Sequence, residues 1–194
     1  MRDVVRERGD INFILISCGP VIGLKEILQH TQLTVEGTIT LAESRLTAEE
    51  DGVYTDYTID AIRVFRAPAL TTTRSTPGPA ELSPFVAAGP VTQPSASTKL
   101  RVRLRAHDHG RVTLDGGVVT ANSGFQMLKV GQHVIVSAYF DASRRTWAPF
   151  GVFEVRDGRV VHLEPRLQSK DYESVEAFAA AVANPPPTLP LTDR

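Results

Sequence analysis

Cations recur at every second position in Lys99-Leu100-Arg101-Val102-Arg103-Leu104-Arg105, with apolar residues between them. Successive side chains of an extended chain point to opposite faces, so Lys99, Arg101, Arg103 and Arg105 form one stripe and Leu100, Val102 and Leu104 the other. His107, His109 and Arg111 follow. Residues 99–111 carry five cations against one acid, whereas the whole chain has a net charge of −1. A stripe of this kind on a barrel wall can bind a polyanion, either nucleic acid or an acidic polysaccharide. The same stripe also serves to keep an exposed strand soluble and to block edge-to-edge pairing. No aromatic residue alternates with the arginines, so bases have nothing to stack on, which argues against nucleic acid.

Two further groups of residues have the types for site chemistry. His107-Asp108-His109 has the His-x-His spacing that can set two imidazoles on one side of an extended segment, and His133 or His162 can complete a three-ligand metal set. The chain has a single cysteine, Cys18, which excludes an internal disulfide and a multi-cysteine zinc site. Leu15-Ile16-Ser17-Cys18 has the form of a bacterial lipoprotein cleavage box, in which a lipidated Cys18 anchors the protein outside the cytoplasm. The other reading of Ile11 to Ser17 is a first strand with a buried thiol, in a cytoplasmic protein with an uncleaved N-terminus. No apolar run approaches the roughly 20 residues that span a bilayer. A nucleophile elbow, a phosphate loop and paired catalytic carboxylates are all missing, so neither an enzyme nor a cofactor is expected. A hydrolase with a dispersed site stays open as a third class.

The elements around these residues are mostly strands. Val53 to Arg66 is the longest strand pattern, with Tyr57, Ile59 and Ala61 on one face and a phase change after which Ile62 and Val64 take over, the mark of a β-bulge that bends a strand. Leu33, Val35, Gly37, Ile39 and Leu41 alternate with Thr and Glu as a half-buried strand, and Gly37 marks a bend or a close backbone approach. His133 to Phe140 is apolar on both faces and belongs in the centre of a sheet. Trp147 to Val155 and Val160 to Leu163 flank Asp157-Gly158, a hairpin signal, and Asp115-Gly116-Gly117 is another turn. Two short helices are expected. Leu24, Ile27 and Leu28 carry one, and Tyr172 to Ala183, capped by Ser169 or Asp171, the other.

This pattern predicts a mainly β protein, a small antiparallel OB-like barrel of five to six strands with two short flanking helices. Residues 1–20 form an N-terminal segment, 21–166 the barrel, with a Pro-rich excursion at 67–98 that builds no core element, 167–184 a helix packed on the barrel, and 185–194 a tail.

The order of Cys18 and a short helix, Val35-Glu36-Gly37-Thr38-Ile39, Tyr57 to Arg66, the Gly116-Gly117 turn, Val130-Gly131 before an apolar strand, and Gly151-Val152-Phe153-Glu154-Val155 resembles the tissue inhibitor of metalloproteinases and netrin-like group. Within that pattern it is more similar to uncharacterised exported bacterial proteins. The likeness runs from Cys18 to Leu163 without the Pro-rich excursion. It implies an OB-type barrel that acts by binding a protein or a surface polymer, outside the cytoplasm and without catalysis. The inhibitors chelate zinc through an N-terminal Cys-x-Cys. Here Cys18 precedes Gly19 and Pro20 with no second cysteine, so no inhibitory residue carries over.

Overall fold

The computed structural model describes residues 1–14, 23–68, 80–81, 100–122, 125–163 and 171–185. The elements in chain order are α1 (Arg2–Arg8), β1 (Ile11–Ile14), α2 (Leu24–His30), β2 (Leu33–Leu46), β3 (Val53–Arg66), β4 (Ala80–Glu81), β5 (Leu100–His107), β6 (Gly110–Leu114), β7 (Gly117–Asn122), β8 (His133–Asp141), β9 (Thr146–Arg156), β10 (Arg159–His162) and α3 (Val175–Ala183).

Five strands close a barrel in the order β2-β3-β5-β9-β8, and β8 returns to β2. All neighbours are antiparallel except β5 and β9, which meet in parallel at Leu104 and Trp147. The barrel is therefore of the small OB-like kind, closed by one parallel contact. The inward residues Leu33, Val35, Ile39, Tyr57, Ile59, Val102, Leu104, Val134, Val136 and Val152 fill it. Alternation dictates this: every second residue of a pleated strand faces inside, and apolar side chains leave water there.

The bends lie where backbone and side chains demand them. Glu36 pairs with Arg63 and Gly37 with Ala61, which leaves Ile62 as the extra residue of a bulge. The phase change is thus where the sequence places it, and Val64 turns back to the core. Ile62 does not, since the bulge residue is thrown outward and is 62% exposed. A second extra residue, Thr40 on β2, shifts the register between Ile39 and Leu41. Leu41 consequently points outward, 39% exposed, and Ala42 takes its place against the core.

Outside the barrel wall lies a second apolar layer. Leu24, Ile27 and Leu28 of α2 and Val175 and Phe178 of α3 pack on Ile135, Phe153 and Val160. β2, paired with β3 on one edge and β8 on the other, is buried on both faces at its start, where half-burial is the expectation. The N-cap of α3 is Ser174, whose hydroxyl accepts from the Ala177 amide at 3.1 Å, in place of Ser169 or Asp171. Tyr172 stays extended because its backbone is bridged to Val160. Ser174→Ala should therefore cost about 1 kcal/mol in a urea unfolding series, and Asp171→Ala almost nothing.

The N-terminal segment adds a helix beyond the two expected. Val5 of α1 is fully buried with Val53, Val119 and Ala121 in a third cluster. β1 is a strand, but Asn12 and Phe13 are exposed, and it runs parallel to β7 in a separate three-stranded sheet with β6. β4 pairs with β5 at Leu100 and Arg101, a brief strand within the Pro-rich stretch. The lipidation candidate Cys18 and residues 69–79 and 82–98 of that stretch lie outside the described residues.

Candidate binding face

The arginine stripe owes its environment to β3. Register sets Tyr54 opposite His107, Asp56 opposite Arg105, Thr58 opposite Arg103 and Asp60 opposite Arg101. Arg105 donates through Nε and Nη2 to the two oxygens of Asp56 at 2.6 and 2.8 Å, and its guanidinium lies 4.3 Å from the centre of the Tyr54 ring. Asp56 holds the Arg105 pKa above its ordinary value. Arg101 donates through Nε to Asp60 at 3.0 Å. Three arginines thus face two aspartates, for a net charge of +1 where the linear segment suggests +4. A bidentate, stacked guanidinium is held more firmly than a lone surface cation and projects less field.

The remaining candidates do not join the face as a stripe. Arg111 sits on β6, which leaves the barrel wall to pair with β7, and its amide donates to Ser44 Oγ on β2. Lys99 lies outside the described residues.

The histidines separate. His107 is half-buried beside Tyr54, with ring centres 6.3 Å apart, on the outside of the wall. Burial, then Arg144 and Arg105, lowers its pKa. Asp108 takes a positive φ of 50° and turns the chain, so His109 enters the barrel interior and stacks on Phe125. His133 instead meets Glu36, and His162 pairs along β10 with Phe153. The His-x-His pair is therefore split across the wall, and among the described residues no cluster of three His, Cys, Asp or Glu is poised to hold a metal.

One charged group is buried against expectation. Glu36 is 5% exposed; its Oε1 accepts from His133 Nε2 at 3.1 Å, and Arg63 Nε lies 3.5 Å from its Oε2. Arg63 also approaches Glu176 of α3 at 3.5 Å, so this cluster ties the helix to the barrel. Alternation on β3 is the signal that places Tyr54, Asp56 and Asp60 on one face, and only the β3–β5 register makes them partners of the arginines.

α2 and α3 cover the β8–β9–β10 side. On the β3–β5 face Arg103 is exposed and Asp56, Asp60, Arg101 and Arg105 are half-exposed. No protein-family model, curated protein or solved structure matches the chain. Among the described residues no helix is long and apolar enough to cross a membrane.

Proposed function

We propose that the protein is a non-catalytic binding module that meets a protein or a surface polymer on the β3–β5 face. The observation that supports this most directly is the Asp56–Arg105–Tyr54 and Asp60–Arg101 arrangement, a preordered set of donors, acceptors and one aromatic on the barrel side that the helices leave open. Tyr and Arg held in fixed rotamers lose little entropy on binding, which is why such residues dominate recognition surfaces. The near-neutral balance favours a partner of mixed or no charge over a polyanion tracked by free cations. The Leu15-to-Cys18 pattern and the inhibitor-like order of motifs favour an extracytoplasmic protein.

The test uses cosedimentation with insoluble cell-wall polymer, and cross-linking to envelope proteins, of the wild type and a Tyr54→Ala/Arg105→Ala variant. Binding should fall at least tenfold in the variant and change little with salt, while stability falls by only roughly 1 kcal/mol, as for a cross-strand pair. A variant that binds like the wild type overturns the reading. A steep salt dependence, with heparin retention lost in Arg101→Ser/Arg103→Ser/Arg105→Ser, transfers the face to polyanion binding.

A further inference from the structure

His109 is fully buried, at the end of the barrel closed by residues 125–132. Its ring stacks on Phe125 at 4.2 Å and 23°, and its Nε2 lies 3.0 Å from the Tyr57 hydroxyl. That hydroxyl oxygen also accepts the Leu128 amide, at 3.4 Å. Phe125 and Leu128 are buried in the barrel core, while Met127 and Val130 beside them are exposed. Besides its apolar packing, the closing segment thus meets the His–Tyr pair twice, through the Phe125 stack and the Leu128 amide. Its far end is fastened separately, where Gly131 N–H donates to Ile39 O and Ile39 N–H to Gln132 O.

We infer that His109 and Tyr57 form an acid-sensitive latch, and that a proton taken up by His109 releases the Phe125–Leu128 stretch from the barrel end. His109 Nε2 and the Tyr57 hydroxyl share one hydrogen bond, in which the neutral ring donates or accepts according to its tautomer. Nδ1 is buried without a partner. A second proton, drawn from solvent, turns the ring into a cation that carries N–H on both nitrogens, and the one on Nδ1 has no acceptor. An unpaired cation in an apolar site is expelled to water, and Phe125, which lies on the ring, goes with it.

Among the described residues nothing around the ring offsets that charge. From β3 the facing titratable group is Tyr57, a neutral phenol whose pKa burial pushes up to about 12. Thr55 of β3 donates to the His109 carbonyl and bonds to Ser44 of β2, and neither is charged. The closing segment contributes Phe125 and Leu128, and the neighbouring Asp108 is exposed. Burial alone holds the His109 pKa down, from 6.5 to about 4. The closed form therefore binds fewer protons than the open one. Stability of closure is fully present above about 6.5 and is lost progressively as the pH falls toward 4, with an opening constant that rises on the order of a hundredfold in all.

The test is amide hydrogen exchange, corrected for intrinsic rates, at pH 7.5 and 5. Protection of residues 125–129 should fall at least tenfold at the lower pH, with β8 unchanged. In His109→Phe, which keeps the stack and cannot titrate, protection of the segment should not depend on pH. Equal protection at both values in the wild type overturns the latch, as does loss in β8 at the same pH or the same opening in His109→Phe. Should that variant fail to fold, the wild-type ring signal in a magnetic resonance titration decides: the latch requires its protonation to coincide with release of the segment. A ring that titrates while the segment stays protected refutes it.

Discussion

Ile59→Asp should leave no cooperatively folded barrel. Ile59 is fully buried in the middle of β3, opposite Ile39 on one side and Val102 on the other, inside the largest apolar cluster. The arginines of β5 face outward, away from it, so the new carboxylate has no cation to meet. An uncompensated buried charge costs several kcal/mol, comparable to the 5–15 kcal/mol of total stability of a typical domain. Far-ultraviolet circular dichroism should show no sharp melting transition, whereas Ile59→Val, which removes one methyl group, should cost only about 1 kcal/mol. A soluble Ile59→Asp protein that melts cooperatively near the wild-type temperature would mean that this face is not core.

Gly37→Ala is the second large effect. A methyl group built on Gly37 would stand 2.4 Å from the Asp60 carbonyl oxygen, 2.5 Å from Ile59 Cγ2 and 3.0 Å from the Ala61 Cα. Two of these are backbone atoms of β3, next to the Ile62 bulge, and cannot swing aside as a side-chain tip does. The strands must part where β2 also pairs with β8. Overpacking of this kind costs about 3 kcal/mol, a fall in Tm of roughly 6–12 °C for a chain of this size. Thermal melting measures it. A change under about 2 °C would show that the corner yields freely. Gly158→Ala provides the contrast: its added methyl touches nothing, and the cost is confined to the positive φ of 77°.

Much of the barrel was legible because its signals are local. The bulge could be located within β3 because a change from odd to even apolar positions can be recorded only by the strand that carries it. Asp157-Gly158 forms the β9–β10 turn with both residues at positive φ, as that dipeptide favours. Gly37 stood out as a glycine inside an otherwise β-branched strand. Other features left weaker traces. α1 buries a single residue, Val5, so a seven-residue helix has almost no apolar periodicity to betray it. Ser169, Asp171 and Ser174 share the chemistry of a cap, and the Tyr172–Val160 bridge selects the last of them.

The candidate face divides in the same way. Alternation alone settles that Arg101, Arg103 and Arg105 share one side of a strand and that Tyr54, Asp56 and Asp60 share one side of another, because a pleat sends every second side chain the same way. Which cation meets which acid depends on the register between two strands more than thirty residues apart in the chain, and a one-residue slip would change every pair. The same holds for His107 and His109, identical residues two positions apart. One lies outside the wall and the other is sealed in the barrel, because the turn at Asp108 and the packing of Phe125 and Tyr57, distant in sequence, decide where each imidazole ends. The sequence by itself determined the main strands, their inward faces outside the bulge positions Leu41 and Ile62, and the charges available. Only the tertiary structure decided which charges cancel and which titratable ring is kept from water, since both depend on contacts made after the barrel has closed.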